Sequence, residues 1–238
     1  MTSNYMRIRD FGVEVTFKEI KNLHIGVYPP LGKVRVAAPL RMDDEQVRLA
    51  VIQRLPWIKR HRKRLREAAR QSPREMVTGE THYVFGRRYR LKVKSGLGRS
   101  SIMLDGSRLV ILAPAESTTE FRLRTLQRWQ RTELRKQIEP LIAKWEPVIG
   151  QSVPYWSIRK MKTKWGSCNP VTGHIWFNLE LAKKEPRCIE YIVVHEMTHL
   201  LERRHNERFI ALMDQFMADW QQRRDELNGA PLAHEEWR

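Results

Sequence analysis

Residues 191–201 read YIVVHEMTHLL, and the two histidines of this segment constrain the fold more than any other feature of the chain. Residues four apart lie on one face of an α-helix, one turn from each other. His195 and His199 can therefore direct their imidazole nitrogens at one ion, and the preceding apolar residues predict a buried helix. A His-Glu-x-x-His pattern on such a helix is typical of zinc hydrolases.

Glu196 and His205 complete the predicted metal site. A catalytic zinc usually has three protein ligands, with imidazole nitrogens at about 2.0–2.1 Å, and keeps one position for water. His205 lies six residues after His199, and a turn between them would bring it to the same ion. Glu196 stays outside the ligand set but can take a proton from a water whose pKa the ion lowers toward ~7. Three imidazoles favour zinc, so the pattern predicts a peptide hydrolase with one Zn²⁺ ion.

The spacing of the three histidines also matches the metzincin pattern. In that pattern a glycine stands at the place of Glu202 and permits the tight turn between the ligands. No convincing methionine turn follows downstream. We therefore expect the metal-water mechanism without the metzincin backbone.

Composition narrows the class of protein. Of 238 residues, 41% are hydrophobic and 30% charged, which supports a folded core rather than disorder. No apolar run approaches the roughly 18 residues of a membrane-spanning helix, and the first residues lack the pattern of a secretory signal. Cys168 and Cys188 are too few for a disulfide framework. We expect a soluble cytoplasmic protein that does not bind membranes.

The charge of the chain is strongly positive and uneven. The net charge is +17, but residues 1–164 carry 35 basic and 15 acidic side chains, whereas residues 165–238 carry 9 and 12. Basic residues concentrate in segments 57–66 and 121–136. These segments could bind a polyanion such as nucleic acid, or they could be the solvated faces of two helices. The second interpretation places four apolar residues against the core: Trp57, Leu65, Leu123 and Leu126.

Periodicity predicts an α+β fold. Short strands over 13–17, 23–27 and 34–36 suggest a small antiparallel meander, and Asp43 or Asp44 can cap a helix to about residue 70. Further elements are expected as strands over 83–93, 101–112, 156–161 and 174–179, with a turn at Asp105-Gly106, and as helices over 116–145, 186–201 and 206–226. The long helix 116–145 contains Pro140, where a break or bend is expected.

Four stretches together resemble the YgjP-like metallopeptidase family, which is related to SprT-like and minimal gluzincin-type proteases. They are residues 159–168 (RKMKTKWGSC), 173–178 (GHIWFN), 195–199 and 205–209 (HNERF). The N-terminal meander, the helix with Trp57-Ile58 and the following hairpin also resemble its members, so the likeness covers most of the chain.

The resemblance implies an α+β, zincin-like fold with a mixed or antiparallel sheet. An active-site helix would carry His195, His199 and the base Glu196, and the following helix would supply His205 as third ligand. One departure is His205-Asn206, where asparagine is expected before the histidine.

We expect one unit, residues 1–238, made of a basic N-terminal lobe (about 1–150) and a metal-binding catalytic lobe (about 151–228). Its partner would be a peptide or protein substrate, and the basic lobe could also bind nucleic acid, as SprT-like relatives suggest by analogy. The alternative is a nucleic-acid-associated protein with a structural or vestigial zinc site. Such a site normally has four protein ligands, often cysteines.

Two residues of the strand 173–179 are candidates for substrate binding. In related zincins a sheet edge beside the metal pairs with an extended peptide, and Asn178 lies on this strand; it could equally be an ordinary core strand. His174 could stabilise an oxyanion or be an exposed strand histidine.

Cys168 and Asp214 keep more than one interpretation. Cys168 could be a metal ligand, an inhibitory thiolate or a small buried residue. Asp214 could orient a ligand histidine or lie solvated on its helix. Four histidines are predicted at the surface: His24, His61, His82 and His234.

Overall fold

The computed structural model describes residues 3–8, 11–28, 32–67, 74–96, 98–161 and 164–229. These residues form two compact units, one ending with residue 67 and the other beginning at Arg74. His234 lies outside the described residues. None of the helices in the described part of the chain is long and apolar enough to cross a lipid bilayer.

The first unit contains a four-stranded sheet. Its strands are β1 (Ser3–Ile8), β2 (Phe11–Lys18), β3 (His24–Tyr28) and β4 (Lys33–Pro39), in the order β1-β2-β4-β3. β3 and β4 form an antiparallel pair, but β4 returns beside β2 and pairs with it in parallel. The predicted purely antiparallel meander is therefore wrong, because β3 occupies the outer edge and not the position next to β2.

Two helices follow this sheet, α1 (Asp44–Gln53) and α2 (Leu55–Glu67). Asp43 caps α1 in a capping box with Gln46. A single helix to about residue 70 was expected; Pro56 explains the break, because proline lacks an N–H and disfavours helical geometry in the preceding residue. The predicted end at residue 70 lies outside the described residues. Four apolar side chains at helical spacing are buried: Val47, Val51, Leu55 and Ile58.

The second unit begins with another four-stranded sheet. Its strands are β5 (Thr81–Val84), β6 (Arg87–Ser95), β7 (Ser101–Asp105) and β8 (Arg108–Ala113), in the order β5-β6-β8-β7. The segments predicted as two strands are thus two hairpins. The turn at Asp105-Gly106 is confirmed. Phe85 and Gly86 both have positive φ, which is typical of a two-residue hairpin turn.

His82 on β5 corrects the expectation of a surface histidine, because only 4% of it is exposed. It lies at an inward position of the strand, 3.5 Å from the Glu80 carboxylate. Burial lowers its pKa to about 4, and the Arg74 charge acts in the same direction.

α3 (Thr119–Ile149) is a 31-residue helix that joins two cores of this unit. Thr118 caps its start, and it continues through Pro140, so the predicted break is wrong. Leu126 packs with the core of the β5–β8 sheet, whereas Leu134 and Ile138 pack with the elements that follow α3. The predicted lobe boundary near residue 150 therefore does not separate two compact units, because residues on both sides of it share one core.

The last part of the chain builds a mixed sheet and three helices. The elements are β9 (Tyr155–Arg159), β10 (Gly166–Asn169), β11 (His174–Asn178), a 3-10 helix (Leu179–Lys183), α4 (Pro186–Thr198), α5 (Glu207–Phe216) and α6 (Trp220–Gly229). The sheet order is β10-β11-β9, with β9 parallel and β10 antiparallel to β11. Residues 166–169 were expected in a loop, and the helix expected over 206–226 is two helices.

The basic segment 121–136 has partners within its own unit. Arg122 donates to the Ser117 hydroxyl and the Met76 carbonyl, and the Arg135 guanidinium lies 4.6 Å from the centre of the Trp156 ring. Leu126 is buried and Leu123 packs against the same core, as the solvated-face interpretation requires. In segment 57–66, Trp57 packs on the first unit's core, while the side chain of Leu65 lies outside the described set.

Glu190 ties α4 to two other helices. Its side chain is 16% exposed and accepts hydrogen bonds from Lys144 Nζ at 2.7 Å, Trp145 Nε1 at 3.1 Å and Arg223 Nη1 at 2.6 Å. Burial opposes the ionised form, but these donors outweigh it, so the pKa of Glu190 falls below its usual value of 4.5. One carboxylate thus holds α3, α4 and α6 together.

We predict that Glu190→Gln lowers the free energy of unfolding by about 1–3 kcal/mol at pH 7, since buried donors lose a charged acceptor. Because the folded-state pKa is lowered, the ionised carboxylate stabilises the fold above about pH 4.5 and this contribution disappears as the pH falls below that value. Urea denaturation at pH 7 and pH 4 should show the difference shrinking at pH 4. Glu133→Gln, which breaks a more exposed pair with Lys136, should cost at most about 0.5 kcal/mol. Equal effects of the two variants would contradict the prediction.

Candidate active site

α4 is buried on most sides, which fixes the histidines that it carries. Pro186 begins the helix, and nine of its thirteen residues are buried, because apolar residues lie around most of its circumference. The most deeply buried are Ile189, Val193, Val194, Met197 and Thr198. His195 lies in the last turn and His199 is the residue that ends the helix. Their ring centres lie 4.9 Å apart.

The turn after α4 brings His205 back to this pair. Backbone N–H groups of Leu201 and Glu202 both donate to the Thr198 carbonyl, and Asn206 then caps α5. His205 Nε2 lies 3.1 Å from His195 Nε2. His205 precedes Asn206, the N-cap of α5, so the turn carries this residue, whereas the following helix was expected to supply it. Among described residues other than glycine, positive φ occurs at Met76 and Phe85, so Glu202 does not adopt the glycine conformation of a metzincin turn.

The three histidines fit a divalent cation. Their ligand atoms lie within 4.8 Å of one another, and tetrahedral bonds of about 2.1 Å would place nitrogens roughly 3.4 Å apart. Burial, followed by the neighbouring His199 and His205, lowers the pKa of His195 to about 3. Burial also lowers the pKa of His199. The rings of His195 and His199 are therefore neutral near pH 7, with lone pairs available for a metal.

Two contacts select the nitrogens that face the cluster. His199 Nδ1 lies 3.0 Å from the Glu202 carbonyl and His195 Nδ1 lies 3.5 Å from the Tyr191 hydroxyl. A ring whose Nδ1–H donates to such an oxygen keeps Nε2 unprotonated. Both contacts therefore favour Nε2 as the metal-binding atom.

Asp214 does not contact a ligand histidine. Its Oδ1 accepts from Trp220 Nε1 at 2.7 Å, and the Trp220 ring stacks on Tyr191 at 6.4 Å between ring centres. Since Tyr191 contacts His195, Asp214 acts on the histidine only through two other side chains. Asp214 is exposed on α5, so the solvated position is the interpretation that the structure supports, and its side-chain hydrogen bond comes from Trp220 rather than from a ligand histidine.

Glu196 is held against a glycine of β10. It is 4% exposed, and burial raises its pKa to about 8, an effect that the Lys164 charge partly opposes. A Cβ added to Gly166 would lie 2.5 Å from Glu196 Oε1 and 2.6 Å from its Cγ. Only a residue without a side chain lets β10 approach this closely. The requirement was missed from the sequence, where Gly166 looked like a loop residue.

These groups line an open cleft of about 510 Å³. Its lining residues are Lys164, Trp165, Gly166, Ser167, Cys168, Pro170, Tyr191, Ile192, His195, Glu196, His199, Arg203, His205, Arg224, Leu227 and Asn228. Cys168 is half-buried, and burial together with the Glu196 charge raises its pKa to about 12. Its thiol is therefore protonated at neutral pH and lies outside the histidine cluster. Cys188 is buried, and both cysteines are free.

Asn178 and His174 lie outside this cleft. β11 pairs on both sides, so of its two interpretations the ordinary core strand is confirmed and the substrate-pairing edge is not. Asn178 is 4% exposed, and its amide donates to the carbonyls of Met161 and Lys164. His174 lies 3.2 Å from Ser157 Oγ and stacks on Trp176. The sheet has two edge strands, β10 and β9; β10, which the sequence did not predict as a strand, is the edge whose residues line the cleft.

A family model described as the YgjP-like metallopeptidase domain matches residues 21–230, which is most of the chain. The chain belongs to the YgjP-like metallopeptidase family. Among solved structures, it is similar to the crystal structure of the metallopeptidase zymogen of Pyrococcus abyssi abylysin, with 21% identity. That match covers 38% of this chain and 90% of the other, with a TM-score of 0.35. No curated protein matches the chain.

For this YgjP-like protein we predict that Gly166→Ala lowers peptidase activity by about 10²-fold, because the new methyl group displaces the Glu196 carboxylate. Zinc content should stay unchanged, since the three histidines are untouched. Gly96→Ala is a matched control: its Cβ would meet the Leu112 side chain at 2.6 Å and should cost stability without changing the rate per folded molecule. Peptide hydrolysis, metal content and thermal unfolding check the three expectations. Unchanged activity of Gly166→Ala would contradict the importance of this contact.

Proposed function

We propose that this protein is a zinc-dependent peptidase, with one Zn²⁺ bound by His195, His199 and His205 and with Glu196 as general base. The supporting observation is that three imidazoles converge beside a buried carboxylate in an open cleft. Three protein ligands leave a coordination position for water, as in catalytic sites. Membership of a metallopeptidase family supports the same class of reaction.

The proposed roles follow from the positions of the side chains. Zinc held by the three histidines would supply a Lewis acid that lowers the pKa of water. Burial raises the pKa of Glu196 to about 8, and a bound dication would favour its ionised form. The Glu196 carboxylate would then take a proton from the attacking water and pass it to the leaving amine nitrogen. The Glu202 carbonyl and the Tyr191 hydroxyl hold the rings of His199 and His195 in the orientation that binding requires.

The β10 edge is the proposed site for the substrate backbone. Asn178 N–H donates to the Trp165 carbonyl, and in antiparallel pairs the hydrogen-bonded positions alternate. Gly166 and Cys168 therefore direct their N–H and C=O groups away from β11. An extended peptide can add to this edge as a further strand and would then run beside Glu196.

A structural zinc site is less well supported. Such sites usually have four protein ligands, whereas the described residues bring three to this cluster. Nucleic acid binding by the basic N-terminal segments and a cytoplasmic location stay predictions. The nucleic acid prediction would be supported by salt-sensitive binding that Glu196→Gln does not change.

We predict that Glu196→Gln lowers peptide hydrolysis by about 10²–10⁴-fold and retains zinc, because the amide cannot accept the proton. The measurements are the hydrolysis rate and the metal content of the purified protein. Glu116→Gln, an exposed carboxylate outside the cleft, is the control and should leave both values unchanged. Cleavage by Glu196→Gln at the wild-type rate would refute the mechanism.

We predict that His205→Ala lowers the zinc content measured after dialysis, because two imidazoles bind the ion more weakly than three. The control is His174→Ala, which removes an imidazole from the sheet and leaves the histidine cluster intact. Equal zinc stoichiometry in the two variants would remove His205 from the ligand set. Thermal unfolding of both variants verifies that each is folded.

A further inference from the structure

The residues that line the cleft have a net positive charge, although the part of the chain from residue 164 onward has a net negative charge. Residues 164–238 contain 10 basic and 12 acidic side chains. Among the described residues that line the cleft, however, three are cations, namely Lys164, Arg203 and Arg224, and the one carboxylate is Glu196. The excess is local and does not follow from composition. Since Glu196 is buried as the proposed base, the accessible charge of the lining is entirely positive.

Two of these cations are available to a ligand. Lys164 and Arg203 are exposed and form no ion pair with a carboxylate of the described residues. Arg224 is engaged: its Nε lies 3.1 Å from Asp225 Oδ1, and its guanidinium lies 5.1 Å from the centre of the Trp220 ring. A ligand carboxylate would therefore meet Lys164 and Arg203 first.

Lys164 and Arg203 belong to the two segments that form the proposed reaction centre. Lys164 lies two residues before β10, the edge proposed for the substrate backbone, and Arg203 lies in the turn between His199 and His205. The Lys164 charge lowers the pKa of both Glu196 and His199, which agrees with a position near the histidine cluster. A substrate lying along β10 would expose its side chains or its terminus to these cations.

We propose that the cleft selects peptides with a carboxylate close to the scissile bond, and that Lys164 and Arg203 bind this group. The inference rests on the proposed peptidase function and names its substrate class. An acidic side chain and a free C-terminal carboxylate are two sources of the same group. Exposed ion pairs contribute about 0.2–1 kcal/mol each, so each cation should improve affinity by roughly 1.4- to fivefold.

Binding can be tested separately from hydrolysis with the zinc-loaded Glu196→Gln protein. Three fluorescent, N-acetylated peptides of equal length are compared by fluorescence anisotropy. One is neutral and amidated, the second is amidated with an internal glutamate, and the third is neutral with a free C-terminus. We expect at least one carboxylate peptide to bind about fivefold or more tightly than the neutral peptide, with the preference weakening as salt is raised. The preferred peptide identifies the source of the carboxylate.

Variants assign this preference to the two cations. In the Glu196→Gln background, Lys164→Gln with Arg203→Gln should remove it, whereas Arg131→Gln, which removes an exposed charge outside the cleft lining, should retain it. Lys164→Glu should weaken the carboxylate peptides further and favour a lysine-containing one. Because both residues are exposed, thermal unfolding and zinc content should stay unchanged.

Equal affinity for the three peptides, or a preference that survives loss of both cations, would overturn the inference. It would also be overturned if a single-stranded oligonucleotide bound in a Lys164- and Arg203-dependent manner while the acidic peptides did not. Hydrolysis of the same peptides by the wild-type protein tests the proposed function independently. Cleavage without a preference rejects this inference alone, whereas a binding preference without any cleavage rejects the peptidase proposal alone.

Discussion

The contact between Gly166 of β10 and Glu196 of α4 is the constraint on which the candidate site depends. Because no Cβ separates the strand from the helix, the carboxylate lies in the space that a side chain would fill. The same contact places the free sheet edge directly beside the histidines. One glycine thus removes the carboxylate from solvent and positions the edge for a backbone, two conditions that a peptide hydrolase needs together.

That contact requires α4 to have a fixed depth of burial in the core and a fixed rotation about its own axis. Apolar packing fixes the depth, since most of the helix is buried. Packing alone is non-directional, so polar contacts set the rotation. Glu190 binds donors from α3 and α6, and Tyr191, next to it in sequence, stacks on Trp220 and contacts His195. The orientation of the first histidine is therefore linked to helices that lie outside the cluster.

The sequence predicted the parts of the site that depend on local geometry. His195, Glu196 and His199 are separated by less than two helical turns, so spacing alone places them. β10 could not be predicted, because Gly166 and Asn169 are weak strand formers and the strand exists through its pairing with β11. Asn178 looked like a substrate-binding residue because its partners, carbonyls of a loop 14 and 17 residues earlier, become visible only in the fold. The burial of His82 likewise depends on tertiary packing, whereas Pro56 is a local signal that the sequence itself contains.

Charge and core packing divide this chain at different places. Along the sequence, the boundary between the compact units lies between residues 67 and 74, whereas the balance of basic and acidic residues changes near residue 150. A solvated charged side chain has little effect on folding free energy wherever it lies, so the density of charged residues along the sequence does not indicate where one unit ends. Buried apolar side chains do indicate it, because each must pack into one core. The same reasoning explains why net charge describes a cleft poorly. The proposed selectivity depends on Lys164 and Arg203, two cations in a part of the chain where acidic residues outnumber basic ones, and on their lack of a carboxylate partner among the described residues.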